Sequence, residues 1–181
     1  MNAIEWRKQQ LTTQSARLQD ALGMWQGCNT SMGRILRALQ SMGIDMEQVE
    51  NVCVIWKELE AAKTLPYGLT VWRAVPPSAK EPVVDSDAWI PVSATLEGAE
   101  AWARSNLTGG KATICKIIIS DSYVRALAVG SDPDYEHEAE ILLMPHVSFA
   151  QRPTAKQQTT ASGNVIATFE VRGEQAAGYG M

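Results

Sequence analysis

Cysteine is scarce in this 181-residue chain, and its three copies, Cys28, Cys53 and Cys115, stand far apart with no C-x-x-C spacing. An odd, scattered set supports neither a disulfide framework nor a cysteine-rich zinc site, so reduced thiols are expected. Histidine is scarcer still, with only His137 and His146. His137, Glu138, Glu140 and His146 lie close in sequence, but no H-E-x-x-H helix or other recognised metal-ligand spacing is present, and no metal is expected. A G-x-S-x-G elbow is missing too, which argues against a serine hydrolase. Long apolar runs are absent: Ile117 to Ile119 and Ile141 to Met144 fall far short of the roughly 20 residues that span a bilayer. The first ten residues hold no apolar core followed by a small-residue cleavage site, so no cleaved signal peptide is expected. Positive charge is not in excess, because 16 Lys and Arg face 20 Asp and Glu for a net −4. That balance gives no footprint for non-specific nucleic-acid binding, although it leaves a local basic patch open.

What is present is a globular composition, 45% hydrophobic and 20% charged, in a chain long enough for one well-buried domain. From Ile4 to about Ala62 apolar residues recur at helical spacing, with no proline and four glycines, Gly23, Gly27, Gly33 and Gly43. Three helices are expected: Ala3 to Met24, a second opening after Asn29, Thr30 or Ser31 and ending at Gly43, and a third from Asp45 until Pro66 and Gly68 stop it. Beyond Pro66 the composition shifts to β-branched runs separated by turn residues. Strands are expected at Leu69 to Val75, Trp89 to Thr95, Ala112 to Ile119, Arg125 to Val129, Ala139 to Met144 and Val165 to Val171. One helix, Glu97 to about Ser105, interrupts them with Ala99, Trp102 and Ala103 on its apolar face, and Thr154 to Gly163 reads as a surface hairpin loop. The fold class is α+β, with a helical lobe over residues 1–66 and a β-rich core over residues 67–181.

Three segments carry candidate chemistry. In Val71-Trp72-Arg73-Ala74-Val75, an arginine inside an apolar strand calls for an anion or carboxylate partner unless it faces outward. In Pro91-Val92-Ser93-Ala94-Thr95, a strand runs into a helix, where Ser93 and Thr95 suit either capping or a ligand. In Glu138-Ala139-Glu140-Ile141-Leu142-Leu143-Met144-Pro145, strand alternation predicts Glu138 and Glu140 side by side. Two adjacent carboxylates raise one another's proton affinity, which suits a site with a cationic or polar ligand, or else a solvated strand edge.

Taken in order, Arg73, Ser93-Ala94-Thr95 and Glu138-Ala139-Glu140 resemble the Arg–Ser–Glu motifs of mono-ADP-ribosyltransferases, including those of bacterial viruses and bacterial toxins. The resemblance covers roughly Leu69 to Val171. It departs from the family pattern where Ala74 replaces a glycine, Ala94-Thr95 replaces Thr-Ser, and His146 follows Met144-Pro145 in place of arginine. It implies a two-sheet catalytic core, NAD⁺ as co-substrate without a metal, and transfer of ADP-ribose with release of nicotinamide.

The same resemblance assigns roles. Glu140 is the catalytic residue, its carboxylate accepting from the ribose 2′-hydroxyl and facing the positive charge that develops on ribose in an oxocarbenium-like state. Arg73 holds the phosphates or ribose through its planar fork, Ser93 orients Glu140, and Ala74 and Thr95 contribute to the cofactor site. Glu138 and Tyr135 bear on the acceptor, because the E-x-E pattern accompanies arginine modification in that family. The loop Gly130 to Glu136 has the turn chemistry of a recognition loop. The expected partner is a target macromolecule, foremost a protein, with a nucleic-acid target left open; the expected state is a monomer working in the cytoplasm. NAD⁺ hydrolysis and a non-catalytic interaction module are the alternatives.

Overall fold

The structure, a computed structural model, describes residues 1–27, 50, 53–55, 57–58, 61–79, 81–82, 90–130, 133–144, 147–154 and 156–173. The helix expected between Asn29 and Gly43 lies outside these residues. Of the third expected helix, residues 53–55 are helical and Ile55 is buried.

Helix α1 (Ala3–Leu11) opens on a reciprocal cap: Asn2 Oδ1 accepts from the Glu5 N–H at 2.9 Å, and the Glu5 carboxylate accepts from Asn2 N at 2.9 Å. The single helix expected to run on to Met24 is instead two, with α2 spanning Ala16–Gly27. Thr12 and Thr13 end α1 by donating their hydroxyls to the carbonyls of Gln9 and Gln10, at 2.8 and 3.0 Å. Ser15 Oγ then accepts from the Leu18 N–H at 3.2 Å and starts α2.

The α+β expectation holds. Among the described residues eight strands follow: β1 (Thr70–Val75), β2 (Ile90–Ser93), β3 (Thr113–Ile119), β4 (Ala126–Ala128), β5 (Glu140–Leu143), β6 (Val147–Gln151), β7 (Gln158–Thr159) and β8 (Val165–Gly173). They form one connected ladder in the order β4-β5-β2-β1-β3-β8-β6, with β7 also on β8, so the two sheets of the sequence expectation are joined edge to edge. Every pairing is antiparallel except β3 with β8. β6 and β7 were not expected from the sequence; β7 lies within the segment read as a hairpin loop. The interrupting helix, α3, spans Leu96–Asn106 and is capped by Thr95.

Alternation along the strands distributes the core. Val71, Val75, Ile117, Ile119, Ile141 and Leu143 bury with Ala3 and Trp6 of α1 in one cluster. Leu142, Leu127 and Val129 bury with Leu18, Ala21 and Leu22 of α2. Ala74 and Ile114 bury with Ala103 of α3, with Trp72 and Trp102 packed against them. Among the described residues no helix is long and apolar enough to cross a membrane.

Candidate active site

Cross-strand register builds the site. Trp72 pairs with Ser93 and Ser93 pairs with Glu140, so three residues far apart in sequence stand in one row across β1, β2 and β5. Paired residues of antiparallel strands project from the same face. The row faces α3, and an open cleft lies there, lined by Trp72, Arg73, Ala74, Pro91, Val92, Ser93, Gly98, Ala99, Trp102, Glu138 and Glu140. Aromatic walls with a few convergent polar groups are the usual lining of ligand sites.

Arg73 is the cationic member. Its Nη1 donates to the Pro91 carbonyl and ties β1 to β2, while its Nε is buried without a hydrogen-bond partner. Burial lowers its pKa to about 10, and Cys115 and Glu140 oppose the drop, so the guanidinium stays charged at neutral pH. A buried charged donor lacking an acceptor is costly, and an oxygen-rich ligand would satisfy it. Cys115, opposite Arg73 on β3, is buried, and that burial pushes its thiol up to about 12, with Arg73 opposing.

Glu138 and Glu140 both reach the cleft, but not through the strand alternation expected of them. Pro133–Glu138 forms a 3-10 helical segment, and β5 begins only at Glu140. Between them Ala139 takes a left-handed φ of 47°, which reverses the chain and carries each acid to the cleft on a separate element. The reversal is fixed from both sides: Ala139 N donates to the Glu136 carbonyl at 3.0 Å, and the Ala139 carbonyl accepts from Ala94 N at 2.9 Å. Burial raises the Glu138 pKa above the usual carboxylate range, and His137 offsets part of the rise.

Ser93 is buried, and its hydroxyl donates to the Glu138 carbonyl at 2.6 Å while accepting from Thr95 N at 3.1 Å. It therefore anchors the backbone just before Glu140, on the segment that carries the acid it is expected to orient. Thr95 does not line the cleft; its Oγ1 accepts from the Gly98 N–H at 2.9 Å and caps α3. Ala74 lines the cleft, and the Tyr135 side chain lies outside the described residues. Sequence reading missed Trp72, Gly98, Ala99 and Trp102 as lining. Gly98 had a readable cue, a glycine in a helix's first turn.

The cue has a physical reason. A Cβ at Gly98 would overlap Ser93 Oγ and the Glu138 carbonyl oxygen. Gly98→Ala should gain about 1 kcal/mol of helix propensity and lose more to forced displacement of packed atoms, about 1–3 kcal/mol. We expect a net fall in the thermal midpoint, read by circular dichroism; a rise would mean that the Glu138 backbone yields freely.

By sequence, neither a protein-family profile nor a curated protein matches the chain. Solved structures do match its shape. An ADP-ribosyltransferase of Clostridium botulinum superposes with a TM-score of 0.58 at 15% identity, covering 93% of this chain and 94% of that one. Exoenzyme S of Pseudomonas aeruginosa, solved with human 14-3-3 protein beta and carba-NAD, gives 0.54 at 18% identity over 86% and 74%. The ADP-ribosyltransferase Vis of Vibrio splendidus, solved with agmatine, gives 0.58 at 16% identity over 96% and 84%. At these identities the likeness is one of fold: the chain has the fold of the bacterial toxin ADP-ribosyltransferases.

Proposed function

We propose that this chain is a mono-ADP-ribosyltransferase that cleaves NAD⁺ and passes ADP-ribose to an arginine on a target protein. The observation that carries the reading is the convergence of Arg73, Ser93, Glu138 and Glu140, from three segments far apart in sequence, on one cleft. The fold adds weight, because exoenzyme S was solved with carba-NAD and Vis with agmatine, a small guanidinium compound.

The residues present suit NAD⁺. The buried, unpartnered Arg73 Nε matches an anionic or ribose oxygen, and Trp72 and Trp102 offer flat apolar walls to a ring. NAD⁺, when bound, supplies a nicotinamide–ribose bond whose cleavage places positive charge on the ribose. Glu140 faces that charge with a carboxylate held at the start of a strand, so no reorganisation is needed as charge develops. Ser93, through the Glu138 carbonyl, holds the segment on which both acids depend. Glu138 pairs with the incoming guanidinium and accepts its proton as the new N–C bond forms. A cytoplasmic site of action and a monomeric working state belong to the same proposal.

Labelled NAD⁺ with a guanidinium acceptor tests the division of roles. Glu138→Gln should keep nicotinamide release into water and lose transfer to agmatine or protein arginine by on the order of 10²-fold, the range of a lost general base. The raised pKa of Glu138 has a pH signature. Transfer needs its ionised form, so the acid limb of transfer should sit above that of an ordinary glutamate and above the limb of hydrolysis. Equal losses of both activities in Glu138→Gln would contradict the acceptor role.

A further inference from the structure

The polar groups of α1 meet the site from behind. Arg7 is buried, and a guanidinium inside a protein needs a specific reason for its place. Its Nε donates to the Val129 carbonyl at 3.1 Å and to the Glu140 carbonyl at 3.3 Å, and its Nη2 donates to the Val129 carbonyl at 2.7 Å. The Glu140 carbonyl also accepts from Val129 N at 3.0 Å. One side chain of α1 thus joins the residue just after β4 to the first residue of β5. Gly130 makes the approach possible, because a Cβ there would stand 2.7 Å from Arg7 Nη2 and 2.9 Å from Leu11 Cδ1. Nearby, Gln14 Nε2 donates to the Ala128 carbonyl at 2.6 Å, so the helical segment is fixed along the same edge.

The position of Glu140 follows from these bonds. On its N-terminal side the backbone is held through the Ala139 carbonyl by Ala94 N. On its own carbonyl it is held by Arg7 and Val129. The other donor to that carbonyl, Val129 N, stands just past a strand only three residues long, Ala126–Ala128.

We infer that Arg7 is a positioning residue for the Glu140 carboxylate, fixing from the N-terminal helix the backbone that aims it at the ribose. Arg7 does not line the cleft; it acts through the Glu140 main chain. The inference rests on the transferase reading above, and it couples the helical segment to turnover in place of mere scaffolding.

The test is NAD⁺ hydrolysis measured as kcat and KM separately, in the full chain and three variants. A misaimed catalytic group lowers kcat on the order of 10²-fold while ground-state binding, and so KM, stays near the wild-type value. That pattern is expected for Arg7→Met. Arg7→Lys keeps the charge and loses the planar fork, and should lie between Met and wild type. Gly130→Ala keeps the arginine but pushes its flexible tip off the Val129 carbonyl, and should lower kcat with cooperative unfolding intact. The second and third variants decide the matter even where Arg7→Met folds poorly. Wild-type turnover with kcat unchanged in Arg7→Lys and Gly130→Ala overturns the inference alone. A wild-type chain that releases no nicotinamide overturns the transferase reading and the inference with it.

Discussion

Glu140→Gln should reduce nicotinamide release by roughly 10²–10³-fold while leaving NAD⁺ binding nearly unchanged, the cost of removing one preorganised contact to developing charge. Glutamine fills almost the same volume as glutamate, so the cleft keeps its shape and the backbone bonds of Ala139, Val129 and Arg7 have no reason to move. What disappears is a negative charge opposite the ribose. The loss should therefore fall on kcat, the signature of an interaction stronger in the transition state than in the ground state. Single-turnover release of labelled nicotinamide, with a parallel titration of NAD⁺ binding, separates the two quantities. A variant that binds NAD⁺ and turns over like the wild type would falsify the assignment of Glu140.

Arg73→Lys should act on binding instead. The guanidinium serves two directions at once, donating through Nη1 to the Pro91 carbonyl and leaving Nε buried and unmet. An ammonium is one point of charge on a flexible stem and cannot serve both. The loss of one charged hydrogen bond is worth about 1.5–3 kcal/mol, so NAD⁺ affinity should fall by roughly 10- to 150-fold. Quenching of tryptophan fluorescence on titration reads this directly, since Trp72 and Trp102 line the same cleft. Undiminished affinity in a folded Arg73→Lys chain would place NAD⁺ elsewhere on the molecule.

The strands that carry Arg73, Ser93 and Glu140 were legible because β-branched runs between turn residues mark strands well. Their meeting was not derivable from the runs themselves: β5 lies beside β2 and two strands from β1, an order set by tertiary packing, and only the resemblance of short motifs pointed to it. The reading of Glu138 and Glu140 as alternate strand positions failed at one residue. Alanine has no preference for left-handed backbone, so nothing in Glu138-Ala139-Glu140 announces the φ of 47°. Trp102 was read only as a member of the apolar face of α3, because periodicity tells which residues turn inward and not whether a cleft opens there. β6 is short and runs along an edge of the sheet, with Pro145 before it and Pro153 after it, and such a strand leaves little pattern. Arg7 was invisible for another reason. A charged residue on a helix is expected to face water, and its burial depends on Gly130, which lies far along the chain.

The left-handed turn at Ala139 seats the two acids on different elements, although both share the anchor that Ser93 makes on the Glu138 carbonyl. Had they shared a pleated strand, any change that moved one would have dragged the other. Here Glu140 is built into the sheet, and Glu138 ends a connecting segment of the kind that accepts insertion and replacement readily. Selection for a new target can thus rework the segment before Ala139 while the bond-breaking machinery is inherited intact.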